Sequence, residues 1–71
     1  MKTSIRRKLG KKIKETRRRL SYTQERLSEL TNMDYKYIQR IEGKNPPDIR
    51  IETLQRIAKA LKTTPSKLLD F

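Results

Sequence analysis

Thr23-Gln24-Glu25-Arg26-Leu27-Ser28-Glu29-Leu30-Thr31-Asn32-Met33-Asp34-Tyr35-Lys36-Tyr37-Ile38-Gln39-Arg40-Ile41-Glu42 decides the reading of this 71-residue chain. It reads as two short helices joined by a tight turn. Thr23 has the side-chain acceptor of a helix N-cap, and Tyr22 and Leu27 stand at the two positions of a hydrophobic staple. The third helical position holds Arg26, not Glu, so the reciprocal capping box is incomplete. Leu27 and Leu30 are expected to face inward. Thr31-Asn32-Met33 forms the turn, because Asn tolerates the left-handed conformation that ends a helix. Asp34 then caps the second short helix, where its charge suits the helix dipole, and Met33 and Ile38 repeat the staple. Ile38 and Ile41 define a buried side. Helical geometry puts Lys36, Gln39 and Arg40 opposite it, with Tyr35 and Tyr37 on the flanks.

Outward from this stretch the chain is helical on both sides. Ile5, Leu9, Ile13 and Leu20 recur at helical spacing, a narrow apolar stripe that ends near Ser21-Tyr22. Downstream, Gly43 stops the second short helix and Asn45-Pro46-Pro47-Asp48 is a loop. Leu54, Ile57, Ala58 and Leu61 follow the i, i+3, i+4, i+7 rule for a helix starting near Arg50 or Ile51. Thr64-Pro65 is an N-cap followed by Pro at the first helical position, opening a short helix over 65–70 that carries Leu68 and Leu69. The expectation is an all-α, compact five-helix bundle. One domain spans 1–71, with residues 1–4 as a flexible arm.

Composition narrows the function. The net charge is +11, and residues 1–20 hold ten Lys or Arg against the single acid Glu15. The excess belongs to the first helix and the arm before it. Charge of this sign favours nucleic acid or an anionic membrane surface, although a charge run can also be a solvated face. The chain has no His and no Cys. That removes the commonest general base, the commonest metal ligand, disulfides and thiolate chemistry. No catalytic residues, metal or cofactor are expected, Ser21, Ser28 and Ser66 have no base, and no small-molecule ligand is evident. No apolar run reaches the length of a membrane span and no secretory signal is present, so a cytoplasmic location is expected. A membrane-surface role is disfavoured by a stripe that is narrow and lacks Trp and Phe.

The major groove of B-DNA admits one helix and presents a distinct donor–acceptor pattern for each base pair. A reader needs a short exposed helix with long donor side chains. Lys36 and Arg40 have the donors to address guanine, and Gln39 adenine or a phosphate. From the residues alone, the same pattern also suits an ordinary exposed polar face.

The chain resembles the Cro/repressor-type helix-turn-helix family, the Xre-like regulators. The resemblance rests on Leu9-Gly10-Lys11-Lys12-Ile13, Arg17, Thr23-Gln24-Glu25-x-Leu27, Met33, Tyr37-Ile38-x-Arg40-Ile41-Glu42 and Leu54-x-x-Ile57-Ala58-Lys59-Ala60-Leu61. It implies a bundle of the phage-repressor type with the helix-turn-helix at helices 2 and 3, and a double-stranded DNA partner. It further implies a homodimer on an inverted-repeat operator. By position, Tyr35, Lys36 and Arg40 would read bases. Thr23, Gln24, Tyr37, Gln39 and Lys44 would contact or position the phosphate backbone, with Gln24 also bracing the recognition helix. Arg17 and Glu42 would form a structural pair between the first helix and the end of the third. Several residues depart from the family pattern. Ser28 stands for the usual Ala, with a hydroxyl free to bond back to the chain. Asn32 stands for Gly. Thr16 stands for an apolar residue, implying a looser core. Gly43 falls one place early, before a loop one residue longer, which weakens the match at Lys44 and Asn45.

The leading expectation is a sequence-specific transcriptional regulator that acts by operator occupancy, most simply as a repressor. The alternative is a protein-interaction module or antitoxin on the same fold, for which Leu69 and Phe71 are candidate contacts. They suit a homodimer seam equally well.

Overall fold

A computed structural model describes residues 4–71. The first helix, α1 (Ile5–Arg19), starts at Ser4, whose side chain accepts a hydrogen bond from the Arg7 N–H at 3.2 Å. Ser4 is therefore the N-cap of α1 and not part of an arm. The rest of the expected arm lies outside the described residues. Four more helices follow: α2 (Gln24–Thr31), α3 (Tyr35–Ile41), α4 (Ile51–Ala60) and α5 (Pro65–Leu68). The last ends at Leu68, two positions before the expected 70.

Side-chain caps set most starting points. Thr23 accepts from the Arg26 N–H at 3.0 Å, Asp34 from Lys36 at 3.2 Å and Thr64 from Lys67 at 3.3 Å. Arg50 precedes α4 without a side-chain cap. The helix ends share a second device. Ser21, Asn32 and Lys62 have φ of 60°, 56° and 58°. In each case the next N–H reaches back five residues, from Tyr22 to Arg17, Met33 to Ser28 and Thr63 to Ala58. This is the Schellman arrangement, made three times without glycine. Gly43 is not such a cap, since no glycine in the described chain has positive φ. α3 ends through Glu42, still in the right-handed region.

Helix α2 packs on α3 and α4, α1 packs on α3 and α5, and α5 closes against α4. Between them lie Leu9, Ile13, Leu27, Ile38, Ile41, Leu54, Ile57, Ala58, Leu61 and Leu68. Leu20 is only partly buried against it, and two further expected core positions are exposed. Leu30 is 40% exposed. The residue one turn beyond Leu27 on the buried line is Thr31, which is buried and donates its hydroxyl to the Leu27 carbonyl at 2.7 Å. Ile5 is 64% exposed because the first turn of α1 extends past the core. Thr16 is buried, and its hydroxyl donates to the Lys12 carbonyl at 2.8 Å. No buried side-chain polar atom among the described residues lacks a partner.

Gly10 is buried where α1 crosses the end of α3. A Cβ there would collide with the Ile41 carbonyl oxygen and sit 3.2 Å from its carbon. The absent side chain lets the two backbones touch.

Candidate nucleic-acid interface

The α2–α3 turn is clamped from both sides. Ser28 Oγ donates to the Met33 carbonyl at 2.6 Å, and the Met33 N–H donates to the Ser28 carbonyl at 3.1 Å. The Ser28 hydroxyl thus ties the end of α2 to the residue that leads into α3.

The far end of α3 is held by a polar cluster. Arg17 donates from Nε to Glu42 Oε2 and from Nη2 to Oε1, both at 2.9 Å. Its Nη1 donates to the Tyr22 carbonyl at 2.7 Å, and Gln24 Nε2 donates to Glu42 Oε1 at 3.0 Å. One guanidinium therefore ties the end of α1, the α1–α2 turn and the end of α3, while Gln24 ties in the start of α2. The pair is nearly inaccessible, with side-chain exposures of 8% for Arg17 and 2% for Glu42. The fork geometry suits arginine and not lysine.

Held at both ends, α3 exposes Lys36, Gln39 and Arg40. With Gly43, Lys44 and Asn45 they line one shallow groove. Among the described residues, the side chains of Lys36 and Arg40 take no part in an ion pair or hydrogen bond. Their charges are free for an external acceptor. Gln39 Nε2 donates to the Tyr35 hydroxyl at 3.1 Å, so these two residues, given separate roles by the resemblance, form one unit. Tyr37 is half-buried against the core and does not line the groove. Thr23 is exposed at the start of α2 with its oxygen engaged as the cap.

The sequence assigns the cationic excess to the first helix as a whole, and the structure shows which of those residues share one groove. Arg7, Lys8, Lys11, Lys14 and Arg18 line an open groove along α1, with Glu15, Glu42 and Gly43. Gly43 belongs to this groove and to the α3 groove alike. The signal available in the sequence was the 7, 11, 14, 18 spacing. Arg6, by contrast, is engaged with Asp48 at 2.8 Å.

A helix-turn-helix family model matches residues 13–68. No curated protein matches the chain. Among solved structures, the restriction-modification controller protein C.AhdI from Aeromonas hydrophila is 25% identical. It aligns over 89% of this chain and 94% of its own, with a TM-score of 0.83. The controller C.Esp1396I bound to a 19 base pair DNA duplex is 29% identical over 96% of this chain and 89% of its own, TM-score 0.84. SinR, the master regulator for biofilm formation, in complex with DNA, is 26% identical over 87% of this chain and 98% of its own, TM-score 0.82. No described helix is long and apolar enough to cross a membrane.

Proposed function

The chain belongs to the Xre/Cro-like helix-turn-helix family, and from that premise we propose that it regulates transcription by occupying a specific double-stranded DNA site through α3. The observation that carries this reading is the outward face of α3. Two long cationic side chains, Lys36 and Arg40, stand one turn apart with no partner among the described residues, on a helix tied at both ends. Such a face can enter a major groove without first breaking its own contacts. Lys36 and Arg40 read bases, with Tyr35 beside them and steadied by Gln39. Thr23, Gln24 and Lys44 position the backbone. Tyr37 acts mainly from the core side, holding α3 in place.

Arg40→Ala is expected to relax preference at one or two base pairs of each half-site, a loss of about 1–3 kcal/mol of discrimination, with stability nearly unchanged. Gln24→Ala is expected to weaken binding to all sequences alike, because a positioning contact carries no sequence information. The measurement is selection from randomised duplexes with parent and both variants. An Arg40→Ala protein that keeps the parental site and merely binds it less tightly would remove base reading from this face.

The regulator acts as a homodimer on an inverted repeat, and repression by occupancy is the simplest mode for a module that works through DNA binding. Supporting the dimer is a second groove, lined by Ile5, Leu9, Ile49, Leu54 and Leu69 together with the Arg6–Asp48 ion pair, and Phe71 is 54% exposed. Leu69 is 42% exposed, so Leu69→Lys changes the surface with little cost to the core. It is expected to shift sedimentation towards monomer and to lower affinity for a two-half-site duplex, while sparing a single half-site. An unchanged sedimentation profile would place the seam elsewhere.

A further inference from the structure

We propose that the α1 groove is a second phosphate-binding surface, which extends the DNA contact beyond the recognition helix along one strand of the duplex. The inference rests on the DNA-binding reading above. Its basis is the register of Arg7, Lys11, Lys14 and Arg18, which recur at i, i+4, i+7 and i+11 and so form one row along the helix. The buried face of α1, with Leu9, Ile13 and Thr16, points elsewhere. Gly10 and Arg17 lie between the two faces and bind α1 to the end of α3. The row therefore flanks the end of α3, and through Gly43 its groove adjoins the one containing Lys36, Arg40 and Lys44.

Charge accounting makes the row an anion surface. None of its four cations forms an ion pair among the described residues. Glu42 borders the groove, but both its oxygens are engaged by Arg17 and Gln24. Glu15 is the one acid left to oppose the row. Stability alone does not explain the arrangement. Like charges three and four residues apart repel along a helix, and Arg7 and Lys8 stand near the positive end of the α1 dipole, whose first turn has no acid. The row is unfavourable in the free protein and is relieved by a polyanion.

Its shape selects an extended partner. Eleven residues of helix span about 16 Å, while one strand of B-DNA presents a phosphate per ~3.4 Å of axis. Because the strand winds as it rises, the row is long enough to face a short run of consecutive phosphates, fewer than the axial rise alone would count. The groove is open, and its cations are on long side chains, exposed at Arg7, Lys11 and Arg18 and half-buried at Lys14, which suits a backbone and not a single enclosed anion.

The test compares three proteins on the duplex selected by the parent: the parent, a Lys11→Gln/Lys14→Gln/Arg18→Gln variant, and a charge-matched Lys59→Gln/Lys62→Gln/Lys67→Gln variant. Binding is measured across a salt series. Each phosphate contact contributes about −0.9 to the slope of log K against log salt. The α1 variant is expected to lose roughly two to three units of slope per protomer and at least tenfold in affinity at ~0.1 M salt, while selecting the parental sequence. The matched variant is expected to keep most of both. Circular dichroism should show the α1 variant folded and melting no lower than the parent, since neutralisation removes repulsion. Equal slopes for the two variants would overturn the proposal, as would a changed sequence preference in the α1 variant, which would make the row a base reader. If the parent selects no duplex and binds vesicles of anionic phospholipid instead, the DNA reading falls and this inference with it. A parent that selects DNA and an α1 variant that matches it in slope overturn the second surface alone.

Discussion

Glu42→Ala should cost about 3–5 kcal/mol of stability, the expected penalty for removing one member of a buried ion pair. The Arg17 guanidinium would be left in its nearly inaccessible site with only the Tyr22 carbonyl as acceptor. Arg17→Ala should cost a similar amount, leaving the Glu42 carboxylate with the Gln24 amide alone and the Tyr22 carbonyl without a side-chain donor. A domain of this length holds roughly 4–11 kcal/mol in total, so either variant approaches the limit of folding. The double variant should lose clearly less than the sum, because it strands no charge. Arg17→Met combined with Glu42→Leu, which refills the space with apolar side chains, should recover most of the loss. Urea unfolding of the parent, both singles and the doubles measures all of this. Small, additive losses, each below about 1 kcal/mol, would show that the pair behaves as an exposed one.

This pair also shows what a single sequence reveals and what it hides. Nothing local marks Arg17 or Glu42 as partners. They are separated by 25 positions, and only the family resemblance placed them together. The two short helices were legible from the residues themselves, because caps and staples are local. Thr23, Asp34 and Asn32 act through atoms within three residues, and each does in the structure what its chemistry suggests. The helix ends at Ser21 and Lys62 were not legible. Neither residue type favours positive φ, and the conformation is imposed by the return hydrogen bonds to Arg17 and Ala58. Leu30 was misjudged for a related reason. Periodicity gives two allowed neighbours of Leu27, at three and four residues, and hydrophobicity favours Leu30 over Thr31. The direction of α4 decides for Thr31, and that is a tertiary fact.

The candidate interface divides in the same way. The α3 face was readable because Ile38 and Ile41 fix the phase of the helix, and its opposite side follows by geometry. The separation of base-reading from backbone residues was less readable. Tyr35 and Gln39 are joined by a hydrogen bond, and Tyr37 turns towards the core. The α1 row was hidden by abundance: with ten cations in the first twenty residues, charge alone does not say which of them share a face with the groove.

Gly10→Ala should destabilise the protein against the direction that helix propensity gives. In the middle of an isolated helix this change is favourable by about 0.5–1 kcal/mol. Here the new methyl group meets backbone, not a flexible side chain, at the Ile41 carbonyl. The strain of overpacking a rigid contact is typically ~1–3 kcal/mol and larger when no side chain can move aside. The net expectation is a loss of at least about 2 kcal/mol, or a fall in Tm of roughly 10 °C or more for a domain of this size. The displacement falls on the end of α3, beside Glu42, so DNA affinity should fall further than stability alone explains. Gly43→Ala is the internal comparison. Its Cβ would lie 3.2 Å from the Gln39 carbonyl oxygen, close but without collision, and its φ is not positive. That change should stay within about 1 kcal/mol. Thermal unfolding of the two variants beside the parent separates the alternatives. If Gly10→Ala melts at or above the parent, α1 and α3 do not touch through their backbones, and the small residue at position 10 has no packing reason to be there.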